Sequence, residues 1–157
     1  EIKWVNPRGI HLTLKFLGYV EEKMIEPIAV ALEGATAGQE SLTLKAECIG
    51  AFPSLKNPRV VWVGVGGETE RLSLIQQRIE EALLKLGFPK EDRPFTPHLT
   101  LGRIRPGRKA GDFGAGIEHL KKTSFGPLTV TEVVLYQSVL RPDGAVYTPL
   151  KKIALQK

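Results

Sequence analysis

Apolar and polar residues alternate along this chain with two different periods, and the switches between them mark out the elements. Residues 10–17, I-H-L-T-L-K-F-L, have period two. His11, Thr13 and Lys15 fall on one face and Leu12, Leu14 and Phe16 on the other, which predicts a half-buried strand ended by Gly18. Over residues 21–32 the spacing turns helical through Met24, Ile28, Ala31 and Leu32, with Pro27 in the first turn and Gly34 as a stop. Residues 42–51 alternate again, and residues 59–65, R-V-V-W-V-G-V, are β-branched and aromatic, so both read as strands. The clearest helix covers residues 69–86, with Leu72, Ile75, Ile79, Leu83 and Leu86 in one stripe and Gly87 behind it. A Pro-bracketed loop at 88–97 leads to a strand at 98–104, and a Gly-rich basic loop at 105–116 to a helical turn at 117–122. Two long strands at 128–140 and 145–155 join through Arg141-Pro142-Asp143-Gly144, a strong turn signal. Strands interspersed with helices and joined in hairpins predict the α+β class with mostly antiparallel sheet. No linker divides the 157 residues into independent domains.

Composition narrows the function classes. With 42% apolar and 25% charged residues the chain is an ordinary globular mix, and no apolar run approaches the roughly 20 residues of a membrane helix. The single Cys48 removes any internal disulfide framework or cysteine zinc cluster, and three histidines leave little for a His-rich metal site. A soluble, cytoplasmic, monomeric protein is expected. The excess of 22 basic over 17 acidic residues favours an anionic partner such as a nucleic acid or phosphate ester. Scarce Asn, Cys and Met beside plentiful Glu and Lys point to a thermophilic source. No signal peptide is visible, and a start at Glu1 in place of Met is what a processed or truncated chain would show.

One internal repeat carries chemistry. His11-Leu12-Thr13-Leu14 recurs as His98-Leu99-Thr100-Leu101, and chance gives such a match odds of roughly one in a thousand per pair of histidines. Each copy has strand character, with His and Thr aimed out of one face and the leucines into a core. Two sheets carrying these strands could face each other across a groove lined by two imidazoles and two hydroxyls. Imidazole titrates near neutrality, so a neutral His can take a proton while a protonated one supplies another. That is the minimal equipment for in-line displacement at phosphorus, with each Thr hydroxyl donating to a non-bridging oxygen. Either tetrad alone would read as a structural His on a common strand sequence. Two His without a convergent Asp or Cys make a poor metal site, and unmatched His119 reads as a surface residue.

The tetrads and their surroundings, W-V-N-P-R-G-I-H-L-T-L-K-F-L-G and F-T-P-H-L-T-L-G-R, resemble the 2H phosphoesterase superfamily, in its RNA 2′,3′-cyclic phosphodiesterase (2′-5′ RNA ligase) branch. G-A-F-P at 50–53, P-R-V-V-W-V-G-V at 58–65 and L-Y-Q-S at 135–138 extend the resemblance over nearly the whole chain. It implies a bilobal fold of two antiparallel sheets, with pseudo-two-fold symmetry about a central cleft and helices outside. It implies hydrolysis of an RNA-terminal 2′,3′-cyclic phosphate to a 2′-phosphate without metal or cofactor, tRNA fragments being one such substrate. By the same resemblance His11 is the proton donor, His98 the acceptor that activates water, and Thr13 and Thr100 bind the phosphate. Run backwards with a ribose 5′-hydroxyl, the pair would make a 2′-5′ linkage, although the chain has no nucleotide-activating G-x-x-x-x-G-K-[ST] loop. Members of this family open with a further strand and helix, so one bilobal domain over 1–157 lacking that unit is expected.

Five further residues are candidates for substrate binding. Arg103 suits phosphate by its guanidinium fork, yet strict alternation puts it on the leucine face. Arg105 and Arg108, in R-P-G-R-K, form a basic patch that could hold an RNA backbone. Phe52 and Tyr136 could stack on a base, although core packing is the commoner fate of such aromatics, and Trp62 reads as core. Two other functions remain open on sequence: a non-catalytic module that binds a nucleotide or RNA end, and a phosphodiesterase for a small cyclic nucleotide.

Overall fold

In the computed structural model, which describes residues 2–107 and 113–157, the described chain forms seven strands and three α-helices that divide between two units. The first unit comprises Glu1–Thr13, Leu44–Gly67 and Pro97–Leu128; the second comprises Leu14–Thr43, Glu68–Thr96 and Thr129–Lys157. Strands β1 (Ile2–Trp4), β2 (Leu42–Pro53), β3 (Pro58–Gly67), β4 (His98–Ile104) and β5 (Ser124–Val130) form one sheet in the order β1-β4-β3-β2-β5. Strands β6 (Glu132–Arg141) and β7 (Gly144–Ala154) form a second. Pairing is antiparallel along β1–β4, β3–β4, β2–β3 and β6–β7. The expected α+β class with two antiparallel sheets holds. No helix among the described residues is long and apolar enough to cross a membrane.

In the first unit β3 is the central strand. Val61 and Val63 are buried on the face they share with Ala51, Leu44 and Ile104. Strand β2 carries a bulge at Cys48, whose φ of 67° breaks the pairing between Glu47 and Ile49, and its N–H donates to the Thr123 carbonyl at 2.8 Å. Helix α3 (Phe113–Ile117) lies in what sequence reads as loop; Phe113 packs on Trp4 with ring centroids 5.9 Å apart.

The second unit is built on α1 (Ile25–Thr36) and α2 (Thr69–Leu84). Of the predicted stripe, Leu72, Ile75, Ile79 and Leu83 are buried in α2, as are Ile28, Ala29 and Leu32 of α1, whereas Leu86 falls past the helix end at Leu84 and is half-buried. Each large apolar side chain buried among them contributes about 1.5–3 kcal/mol on leaving water. Helix α1 runs past the expected stop at Gly34 to Thr36, whose hydroxyl donates back to the Leu32 carbonyl at 2.8 Å. Ahead of α2, the Thr43 N–H and then the Arg71 guanidinium hold the Glu68 carboxyl below the usual range. A depressed carboxyl favours the folded chain above its unfolded pKa, and that benefit disappears as pH falls through the folded value.

Two predicted strands change. The segment 128–140 is broken at Thr131, whose carbonyl accepts from the Leu155 N–H at 2.8 Å; β5 therefore stays in the first sheet while β6 pairs with β7. Arg141 and Gly144 pair across the expected turn. Residues 10–17 form no strand: a single antiparallel bridge, Leu12 to Leu99, is all that remains. The alternation fails at Lys15, expected beside His11 and Thr13, and at Phe16, expected in the core. The Lys15 side chain is 4% exposed and ion-paired with Glu80 at 3.0 Å, whereas Phe16 is 71% exposed. The chain passes from the first unit to the second between Thr13 and Leu14, so no one sheet imposes its pleat on the whole segment.

Candidate active site

The sequence N-P-R-G at 6–9 prepares the first histidine. Asn6 caps a 3-10 turn over Pro7–Gly9, its side chain accepting from the Arg8 N–H at 3.0 Å, with Pro7 at the position that needs no N–H. That turn brings the Gly9 carbonyl to 2.7 Å from Nδ1 of His11. A carbonyl can only accept, so Nδ1 carries a hydrogen and proton exchange is left to Nε2.

The turn also sets register. Before it, Val5 donates to the Leu101 carbonyl at 2.7 Å in continuation of β1; after it, Leu12 bridges Leu99 on the same edge of β4. The bridge is antiparallel, so its register sets His11 against Thr100 and Thr13 against His98. Side chains directly opposite in such a pair share a face, with Cβ atoms about 4.5–5.5 Å apart. Leu12 and Leu99 take one face, and both imidazoles and both hydroxyls take the other. His11, Thr13, His98 and Thr100 thus all lie within the first unit, and not on the separate facing sheets that the sequence suggests. Local two-fold symmetry of an antiparallel pair explains why the same H-L-T-L serves twice.

Strand β3 extends this face. Trp62 pairs with Thr100 and Gly64 with His98, while Gly50 and Phe52 of β2 pair with Trp62 and Val60. Phe52 meets the His98 ring edge-on, centroids 5.3 Å apart at 87°, and lies tilted on Trp62 at 5.3 Å. Phe52 is 39% exposed, so this predicted binding residue does border the site. Trp62, expected in the core, is on the site face and half-buried, with its Nε1 enclosed and lacking a hydrogen-bond partner among the described residues. Its misreading has a clear origin: V-V-W-V looks uniformly apolar, and only the pleat separates Trp62 from Val61 and Val63.

Gly50 lets the indole lie down. A Cβ there would stand inside van der Waals contact with the Trp62 ring. Gly50→Ala is therefore expected to destabilise the chain by about 1–3 kcal/mol and to change Trp62 fluorescence. Urea titration followed at the indole would check it, and an unchanged midpoint and spectrum would show that the ring moves aside freely.

Arg103 does not lie on the leucine face that strict alternation predicts. Between the pairs Val61–Gly102 and Trp62–Thr100 the register slips, leaving Leu101 as an extra residue. The bulge reverses the alternation, and Arg103, paired with Val60 and Lys3, returns to the His–Thr face and is exposed there. Arg105 is exposed just beyond β4. Arg108 lies outside the described residues. Tyr136 belongs to the second unit, on β6, where it meets Tyr147 edge-on at 6.1 Å. Among the described residues no group of three His, Cys, Asp or Glu side chains is placed to hold a metal ion.

The face can be set against known proteins. A family model described as LigT-like phosphoesterase matches residues 1–62 and 63–147. The RNA 2′,3′-cyclic phosphodiesterase of Archaeoglobus fulgidus is 37% identical over 150 residues, covering 96% of this chain and 82% of its own. The protein of that name from Methanothermobacter thermautotrophicus is 33% identical over 155 residues, covering 99% and 83%. Among solved structures, the TT0787 protein of Thermus thermophilus matches with a TM-score of 0.78, and E. coli LigT complexed with 3′-AMP with 0.74. Each is 27% identical and covers 99% of this chain and 82% of its own.

Proposed function

The chain belongs to the family of LigT-like phosphoesterases, hydrolases of phosphodiester bonds, and we propose that it opens RNA-terminal 2′,3′-cyclic phosphates to 2′-phosphates with His11 and His98 as its acid–base pair. The observation that carries this reading is the Leu12–Leu99 bridge, whose register gathers two imidazoles and two hydroxyls on one face. His98 takes a proton from water as its oxygen attacks phosphorus in line. The bond from phosphorus to O3′ breaks, and His11 gives O3′ the proton held at Nε2. Thr13 and Thr100 donate to the non-bridging oxygens as charge builds there, and Arg103 adds its guanidinium from the same face. One water is consumed and no net proton is lost; exchange with solvent resets both rings. No protein nucleophile, metal or cofactor takes part in this scheme. With a ribose 5′-hydroxyl attacking in place of water and O3′ leaving as before, the same ring opening gives a 2′-5′ linkage.

The test is a short RNA with a 2′,3′-cyclic phosphate end, followed by phosphorus NMR in EDTA. A 2′-phosphate product supports the reading. Tight binding without turnover would instead favour an RNA-end binding module, and turnover that requires added metal would overturn the scheme. The pH–rate profile is expected to be bell-shaped, with one limb for the group that takes a proton and one for the group that gives it. A profile that lacks either limb would remove the acid–base pair.

A further inference from the structure

The net charge of this chain is unevenly divided. The segments of the first unit hold 11 Lys and Arg against 4 Asp and Glu, and those of the second hold 11 against 13. The whole positive excess therefore belongs to the unit that carries His11, Thr13, His98 and Thr100. Within that unit several of the cations gather at one end of the sheet. Along β4 the residues run His98, Thr100, Arg103 and then Arg105, so the strand leads from the catalytic face toward the end where Arg103 pairs with Val60 and Lys3. The β2–β3 turn, residues 54–57, closes the sheet at that same end and carries Lys56. Lys56, Arg103 and Arg105 are exposed, and none of the three is in an ion pair among the described residues. Phe52, partly exposed, lies between the histidine and this end. From Thr100 to Arg105 the strand rise spans roughly 16 Å.

We propose that the RNA strand upstream of the reacting end leaves the His–Thr face past Phe52 and runs toward the β2–β3 turn, with Lys56 and Arg105 as its phosphate contacts. This rests on the reading of the site as one for RNA ends. A cyclic mononucleotide has no upstream phosphate and cannot use the track; an oligonucleotide can. Cations that meet single-stranded phosphates release counterions, each contributing about 0.7 to the slope of log affinity against log salt. Neither Lys56 nor Arg105 has a place in the acid–base scheme, so their removal separates strand binding from chemistry.

The experiment compares the full chain with its Lys56→Ala/Arg105→Ala variant on 2′,3′-cyclic AMP and on a ten-nucleotide RNA with the same end. The variant is expected to raise KM for the oligonucleotide roughly tenfold, to leave kcat in place, and to lower the salt slope by about 1.4. Its constants on the mononucleotide should stay within about twofold of wild type. A Lys152→Ala/Lys157→Ala control in the second unit should leave both substrates alone. An unchanged oligonucleotide KM, or an equal loss on both substrates, would overturn the track. If the wild-type chain turns over neither substrate, the acid–base reading fails by itself. Fluorescence anisotropy of the same oligonucleotide then still decides: weaker binding by the variant supports the track, and equal binding refutes it.

Discussion

Alanine in place of His98 is expected to lower kcat on a cyclic-phosphate RNA end by about 10²–10⁴, the usual contribution of a positioned general base. His11→Ala should lose a similar factor on the same substrate. The two variants should part company when the leaving group no longer needs protonation. On a nitrophenyl phosphodiester the departing phenolate is stable without a proton, so His11→Ala is expected to recover most of its activity. His98→Ala is not, because water must still be activated. Both should keep the wild-type stability within about 1 kcal/mol, since both rings are only half-buried. Equal rescue of both variants would mean that the donor and acceptor roles are misassigned. Full activity of either on RNA would end the paired mechanism.

The second large effect concerns stability. Removing the Glu80 carboxylate should cost about 3–5 kcal/mol, because it leaves the Lys15 ammonium enclosed and uncompensated. In the wild type all three Nζ hydrogens of Lys15 have acceptors: both Glu80 oxygens at 3.0 Å and the Pro89 carbonyl at 2.8 Å. Glu80 in turn accepts from Gln76 Nε2 and from the Glu91 N–H, each at 3.3 Å. Gln76 also donates to the Leu14 carbonyl at 3.4 Å, so α2 grips the two residues that follow Thr13. A buried pair is weak evidence of net stability, however, since an apolar pair of similar volume often serves as well. Glu80→Ala is therefore expected to lower Tm by roughly 10 °C, while Lys15→Met/Glu80→Leu recovers most of that loss. Calorimetry of the single and double variants checks this. A Glu80→Ala midpoint within about 1 °C of wild type would show the pair to be solvated.

Much of this is legible in the chain itself. The stripe Leu72, Ile75, Ile79 and Leu83 announces α2 and its buried face, because helical periodicity is a local property that survives any tertiary setting. The repeated H-L-T-L names the four chemical groups, and its surroundings name the family, because identical residue choices at two distant places have no local cause. The turn at Pro142-Asp143 follows from backbone preferences alone. What one strand's sequence cannot supply is register. Arg103 stands on the wrong face until the extra residue at Leu101 shifts the pleat, and Trp62 passes for core until Gly50 and Gly64 are found opposite Trp62 and His98. Lys15 shows the same limit through charge: its place in an alternating segment points it at the site, and a carboxylate 65 residues away draws it elsewhere. Sequence determined which groups this protein owns and which elements they ride on. Only the tertiary structure decided which of them share a face, because a one-residue slip between strands turns every later side chain over at almost no local cost.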